Sequence, residues 1–135
     1  MNVDDTSLLA ITQVLNRYVH IVDGWAWDEL HQVFTHDAVV DHRPVGNLLM
    51  SGIEELAAGF AAGMSRHPIA HHLTNSVVET VADDGTAVHV RSKWLIVDQT
   101  GVSRSGFYDD DLVLTEDGWR ISNRVASLRF EPPSS

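Results

Sequence analysis

A chain of 135 residues, 44% apolar and 21% charged, has the length and balance of one globular domain, residues 1–135, with a core of its own. Nine basic residues against nineteen acidic ones give a formal charge of −10, which argues against a nucleic-acid or anionic-membrane surface, because phosphate binding needs clustered Lys and Arg. With no cysteine, disulfide and thiolate chemistry are excluded.

The first ten residues, MNVDDTSLLA, are acidic and lack the basic segment and apolar run of a signal peptide. No apolar stretch approaches the ~20 residues of a membrane span, so a cytoplasmic address is expected. Residues 5–23 read as an amphipathic helix with Leu8, Ile11, Leu15, Tyr18 and Val22 on one stripe, widened by Val14 and Val19. Asp4, Asp5, Thr6 and Ser7 are candidate N-caps, and Gly24 is a natural stop. A shorter helix is expected from Ala26 to Phe34, with Trp27, Leu30 and Phe34 on one face, then a strand over residues 38–42. Pro44, Gly46 and Asn47 mark the following segment as a loop. Ser51 and Glu54 form a capping-box pattern before a third helix with apolar positions Ile53, Leu56, Ala57, Phe60 and Met64. Gly59 and Gly63 weaken that helix, and either close packing or a mobile lid would explain them.

Pro68 ends the helical part. Asp84-Gly85, Thr100-Gly101 and Asp117-Gly118 then divide the remainder into four long strands. Period-two alternation in the first strand groups His71, Leu73, Asn75 and Val77 on the inward face and His72, Thr74, Ser76 and Val78 on the other. Later strands place Val88, Val90, Trp94 and Ile96 together, then Gly106, Tyr108, Asp110, Leu112 and Leu114, then Trp119, Ile121, Asn123 and Val125. The last strand is expected to reach Phe130, and the EPPSS tail to fray. Three helices followed by an antiparallel meander imply an α+β domain, its helices on one face of a strongly curved sheet that encloses a pocket. Such a pocket is the default ligand site.

An imidazole on the inward face suits proton transfer at neutral pH, and we read His71 as lining the pocket with Asp23 orienting it. Asp23 ends a helix where the dipole disfavours a carboxylate. A nearby histidinium offsets that, and so does plain solvation beside the turn glycine. His42 is either a second proton donor or an exposed loop residue, and Tyr108 either a donor to the ligand or a satisfied core tyrosine. The candidate pocket wall adds Tyr18, Trp27, Phe60 and Asn75 from the first half of the chain. Trp94, Asp110 and Asn123 join it from the strands. Asp109, Asp110 and Asp111 point alternately to opposite faces and so converge poorly on one ion, and His67 lacks the zincin glutamate. No metal site and no cofactor is expected, since neither a dinucleotide fingerprint nor a P-loop occurs.

Four segments resemble the SnoaL-like branch of the nuclear transport factor 2-like superfamily: YVHIVDGWAWDEL with FTHDAVVD, then SGIEEL, then HHLTNSVVE, then GFYDDDLVLTEDGWRISNR. That superfamily includes scytalone dehydratase, hexachlorocyclohexane dehydrochlorinase, ketosteroid isomerase and polyketide cyclases. The resemblance implies a cone-shaped α+β fold and a His–Asp pair. Asp23 matches the aspartate. The histidine of the relatives lies eight residues ahead of a strand position held here by Glu79, giving His71, or His72 with a one-residue gap. His42 stands where scytalone dehydratase has a pocket tyrosine, whereas Val97 stands near its second histidine and Tyr18 near the dehydrochlorinase lysine.

The expectation is therefore a cofactor-independent lyase or isomerase, dehydratase-like, acting on a small, mainly apolar, polyketide-like substrate. Ring closure or epoxide-hydrolase-like hydrolysis in the same pocket is the alternative, and a non-catalytic binding or dimerisation module is another. A homodimer through the outer sheet face, near His72, Thr74, Arg91 and Lys93, is expected by analogy.

Overall fold

The computed structural model describes residues 3–46, 48–63 and 66–129. Expectations for Asn47, Met64, Phe130 and the EPPSS tail lie outside the described residues.

Helix α1 spans Asp5–Asp23, as its periodicity predicts. Asp4 caps it by accepting the Ser7 N–H at 2.7 Å. Ile11, Val14, Leu15, Tyr18, Ile21 and Val22 are buried along it, while Leu8 remains exposed. Each aliphatic side chain so buried contributes about 1.5–3 kcal/mol. Because α1 ends at Gly24, Asp23 sits in the last turn, facing the sheet it packs on.

The second helix is a six-residue 3-10 turn, Trp27–Gln32, that buries Leu30. Strand β1 (Phe34–Asp41) follows, then a 3-10 turn at Arg43–Val45 and a short β2 (Leu49–Ser51) inside the expected loop. Ser51 is thus a strand residue. Gly52, with φ of 88°, takes the N-cap position of α2 (Ile53–Ala62), and among the described residues no side chain caps it, so the expected capping box does not form. Gly59 packs against Met50: a Cβ there would lie 2.5 Å from the methionine sulfur. Close approach explains that glycine.

The strands β3 (Ala70–Val81), β4 (Ala87–Val97), β5 (Ser103–Thr115) and β6 (Gly118–Leu128) form the expected meander. Gly85, Gly101 and Gly118 all take positive φ at its turns. To it are added β1, parallel to β6, and β2, antiparallel to β1, giving one six-stranded mixed sheet in the order β2-β1-β6-β5-β4-β3. The molecule is α+β, with helices packed on a curved, mostly antiparallel sheet. Among the described residues no helix is long and apolar enough to cross a membrane.

Irregularities in the ladder decide which side chains face inward. Asn75 has φ of 54°, and the β3–β4 register slips between Thr74 and Val77 and again between Val78 and Thr80. Each extra residue reverses the alternation. His71 and Leu73 face the helices, but after the first bulge Ser76 and Val78 do so. Ser76 reaches the buried Ser92 at 2.8 Å, and Val77 is exposed. A third slip, opposite the Asp111–Leu112 step, does the same to β6: Trp119 and Ile121 point inward, then Arg124 and Ala126.

Gly106 of β5 leaves room for the Trp94 ring, whose Nε1–H donates to the Phe107 carbonyl at 3.1 Å. A Cβ at Gly106 would overlap both the Ser127 carbonyl and that ring. Gly106→Ala is expected to destabilise by about 1–3 kcal/mol, the usual range for overpacking, because the Ser127 obstacle is backbone. A melt equal to the native one would show the strands spread freely.

Candidate active site

Between the helices and the sheet lies a cavity of about 350 Å³. Tyr18, His42, Phe60, His71, Trp94 and Tyr108 line it.

His71, second residue of β3, meets Asp23 at the end of α1. Its ring Nδ1 lies 2.6 Å from Asp23 Oδ1, and its backbone N–H donates to Asp23 Oδ2 at 3.0 Å. One carboxylate therefore holds both the ring and the strand that carries it. Since Asp23 accepts, the proton of the neutral ring sits on Nδ1, leaving Nε2 as a bare lone pair. Nε2 makes no hydrogen bond among the described residues. Burial pulls the His71 pKa below the usual histidine value, and the Asp23 contact and charge partly restore it. The imidazole is thus mostly neutral at pH 7, the state a general base requires.

His42 follows β1. Its ring borders the cavity, and its Nε2 is buried without a partner among the described residues. Burial lowers its pKa to about 4, helped by the charges of Arg124 and His71. The unfolded chain gains a proton near pH 6.5 that the folded chain refuses until about pH 4, so His42 favours the folded state at neutral pH. This contribution is fully present above pH 6.5 and is lost as pH falls through that window, at up to about 1.4 kcal/mol per unit. NMR titration should find His42 neutral at pH 5.5; a charged ring there would mean a wet site.

Behind the wall, Arg124 donates from Nε and Nη2 to Asp110 at 2.7 and 2.8 Å, both side chains wholly buried. The guanidinium lies between two cavity-lining phenols, 4.2 Å from the Tyr18 ring centre and 3.9 Å from that of Tyr108. Burial pushes both tyrosine pKa values up, so both stay hydroxyl donors at neutral pH. His67 shares Nε2–H with the Phe60 carbonyl at 3.1 Å, and its ring centre lies 6.3 Å from that of His71.

A model of the SnoaL-like domain matches residues 6–125. The chain belongs to the SnoaL-like family. An uncharacterized protein of Mycobacterium tuberculosis (strain H37Rv) is 32% identical over 127 residues, covering 91% of this chain and 86% of that one. Among solved structures, a Novosphingobium aromaticivorans protein assigned by name as an aromatic ring hydroxylase superposes with a TM-score of 0.79. It is 24% identical and the match covers 96% of this chain and 94% of that one. Another, from the same organism and assigned by name as a scytalone dehydratase, gives 0.76 at 21% identity, covering 93% and 85%. At these identities the likeness is one of fold.

Within this SnoaL-like cavity, Tyr18, His42, Phe60, His71, Trp94 and Tyr108 line the wall as expected, with Asp23 behind His71. Five expected pocket residues do not line it. His72 is exposed on the opposite sheet face, as alternation from an inward His71 requires. Asn75 is carried outward by the β3 bulge into a shallow groove with Val77, Glu79 and Arg91. Asn123 is displaced by the β6 slip, which gives its inward place to Arg124. Asp110 points inward but is consumed by Arg124 beneath the wall. Trp27 stacks behind the wall, with ring centres 5.7 Å from Phe60 and 5.3 Å from His67.

Sequence reasoning missed Arg124, and it did not place His67, Arg66 and Arg104 at the cavity. An arginine and an aspartate on neighbouring, otherwise apolar strands were the available signal for the first. On the outer face His89 lies between Asp111 at 2.8 Å and Asp109 at 3.4 Å, with Glu79 near enough for the three side chains Glu79, His89 and Asp109 to surround an ion. The group is open to solvent, and exposed acidic groups commonly gather without a metal.

Proposed function

We propose that the chain is a cofactor-independent lyase or isomerase that begins by removing a proton from a carbon next to a carbonyl of a small, mainly apolar, polyketide-like substrate. The observation that carries this reading is the 2.6 Å contact between His71 Nδ1 and Asp23, which leaves Nε2 free at a cavity of about 350 Å³. His71 Nε2 takes the proton, and the C–H electron pair moves into the carbonyl, giving an enolate. Asp23 fixes the tautomer and stabilises the imidazolium. His42 or Tyr108 donates a hydrogen bond to the enolate oxygen. Returning the proton to another carbon completes an isomerisation. Giving it instead to a departing β-hydroxyl releases water and completes a dehydration.

The same enolate could close a ring on a second carbonyl, and a water in its place could be activated for epoxide-type hydrolysis. A binding module would instead use the aromatic wall of Tyr18, Trp94 and Tyr108. A second copy on the outer sheet face, where Val77 and Leu95 are exposed, and a cytoplasmic address belong to the same proposal.

The test is proton exchange. In D₂O, 2-tetralone should lose its α-proton NMR signals faster with the protein than with buffer, and the His71→Gln protein should behave as buffer does. Equal exchange with native and substituted protein would reject the role of His71.

A further inference from the structure

We propose that the cavity mouth is a carboxylate-binding subsite built by Arg104 and Arg66, so that the natural ligand is a cyclic compound bearing an acid group. The cavity is charged oppositely to the molecule around it. Acidic residues outnumber Lys and Arg by 19 to 9 in the chain, yet among the described residues no Asp or Glu lines the cavity. Its cationic lining is Arg66 and Arg104, beside the imidazoles of His42, His67 and His71; behind the wall Asp23 holds His71, and Arg124 is neutralised by Asp110. An uncharged ligand would give no reason for that inversion.

Strand register places the subsite relative to His71. His71 pairs with Ile96 across β3–β4, and Ile96 pairs with Arg104 across β4–β5. All three line the cavity. Adjacent strands lie about 4.8 Å apart, so the His71 and Arg104 backbones stand about 10 Å apart across an apolar Ile96. Arg104 begins the inward row of β5 that continues through Gly106 and Tyr108, where the missing Gly106 side chain admits the flat Trp94 ring. A ring resting on Ile96 and Trp94 would meet the base at one edge and a guanidinium at the other.

Neither arginine is spent elsewhere. Arg66 and Arg104 form no ion pair among the described residues. Arg104 acts at a distance on Asp98, helping to lower its pKa, but Asp98 Oδ1 is held by the Thr100 N–H and hydroxyl and the Val102 N–H of its own hairpin loop. A planar guanidinium recognises a planar carboxylate by paired hydrogen bonds, which favours a carboxylate over other anions.

The subsite stands independently of the proton-transfer reading, whereas the placement of the reacting carbon rests on it. The experiment titrates the protein with 2-naphthoate and with neutral 2-naphthamide at low salt, followed by calorimetry. The carboxylate should bind at least about tenfold more tightly, in line with one charge-assisted contact. Arg66→Gln with Arg104→Gln should erase that preference. His71→Gln should keep it, so loss of proton exchange and loss of anion preference are read separately. Equal affinities in the native protein, a preference that survives the arginine substitutions, or binding of neither probe would overturn the proposal.

Discussion

Replacing His71 by Gln is expected to cut α-proton exchange by about 10²–10⁴-fold, the share that a positioned general base supplies. The melt should stay close to native, because the His71 side chain packs at the cavity wall and its backbone N–H still reaches Asp23. Asp23→Asn tests the positioning role separately. An asparagine can offer its amide N–H to the ring, and Nδ1 would then become the acceptor and Nε2 carry the proton. The lone pair facing the cavity is lost without any loss of volume, so a fall of similar order is expected. The pH profile adds a readout that a purely structural role would not move. Base catalysis needs neutral His71, whose pKa lies below the usual histidine value. Activity should therefore be level at neutral pH and fall on acidification through that lowered pKa. In Asp23→Asn the favourable charge is gone, so the residual acid limb should move to lower pH. A His71→Gln protein that keeps more than roughly a tenth of native exchange would remove the imidazole from the mechanism.

The pairing of Asp23 with His71 came from the resemblance to the SnoaL-like relatives, since spacing alone left Asp23 open to plain solvation. The placing of each residue was legible because both lie next to strong punctuation. Gly24 ends α1 directly after the aspartate, and Pro68 resets the chain shortly before the histidine. Near such marks the alternation has not yet had length in which to drift. Further along, it did drift. Period-two reading treats a strand as unbroken, yet β3 bulges at Asn75 and β6 slips after Ile121. One inserted residue turns every later side chain over. That is why Asn75 and Asn123 were expected inside while Val78 and Arg124 occupy the interior.

Other features were illegible for a different reason. The three-residue β2 and the parallel pairing of β1 with β6 carry no local pattern, since their partners are supplied by distant chain. The capping box at Ser51 shows the converse error. The motif was present, but tertiary pairing of β2 claimed the serine and left Gly52 to start the helix. Gly106 could be read as a strand glycine, though its purpose is visible only once Trp94 lies across it.

Asp110→Asn is expected to cost about 3–5 kcal/mol of unfolding free energy, because it strands a buried cation. Arg124 cannot shed its proton at any ordinary pH, so its charge would remain wholly buried against Tyr18 and Tyr108 with two hydrogen bonds weakened. Arg124→Met should behave differently. Burial pushes the Asp110 carboxyl up, while the bidentate guanidinium holds it ionised in the native protein. Without Arg124, the folded state can keep Asp110 only by holding a proton that the unfolded chain has lost above pH 3.8. Folding then binds a proton, and stability falls as pH rises, by about 1.4 kcal/mol per unit until the folded pKa is passed. Urea titrations at pH 4.5 and 7.5 should thus separate the two variants: a penalty that does not ease in acid for Asp110→Asn, a pH-dependent one for Arg124→Met. Asp110→Leu combined with Arg124→Met should recover much of the loss, since apolar replacement of a buried pair is often neutral. A loss below about 1 kcal/mol for Asp110→Asn would mean that water reaches Arg124. Water at that depth would also hydrate His42 beside it, raise its pKa towards the solution value, and weaken the dry setting in which the enolate is proposed to form.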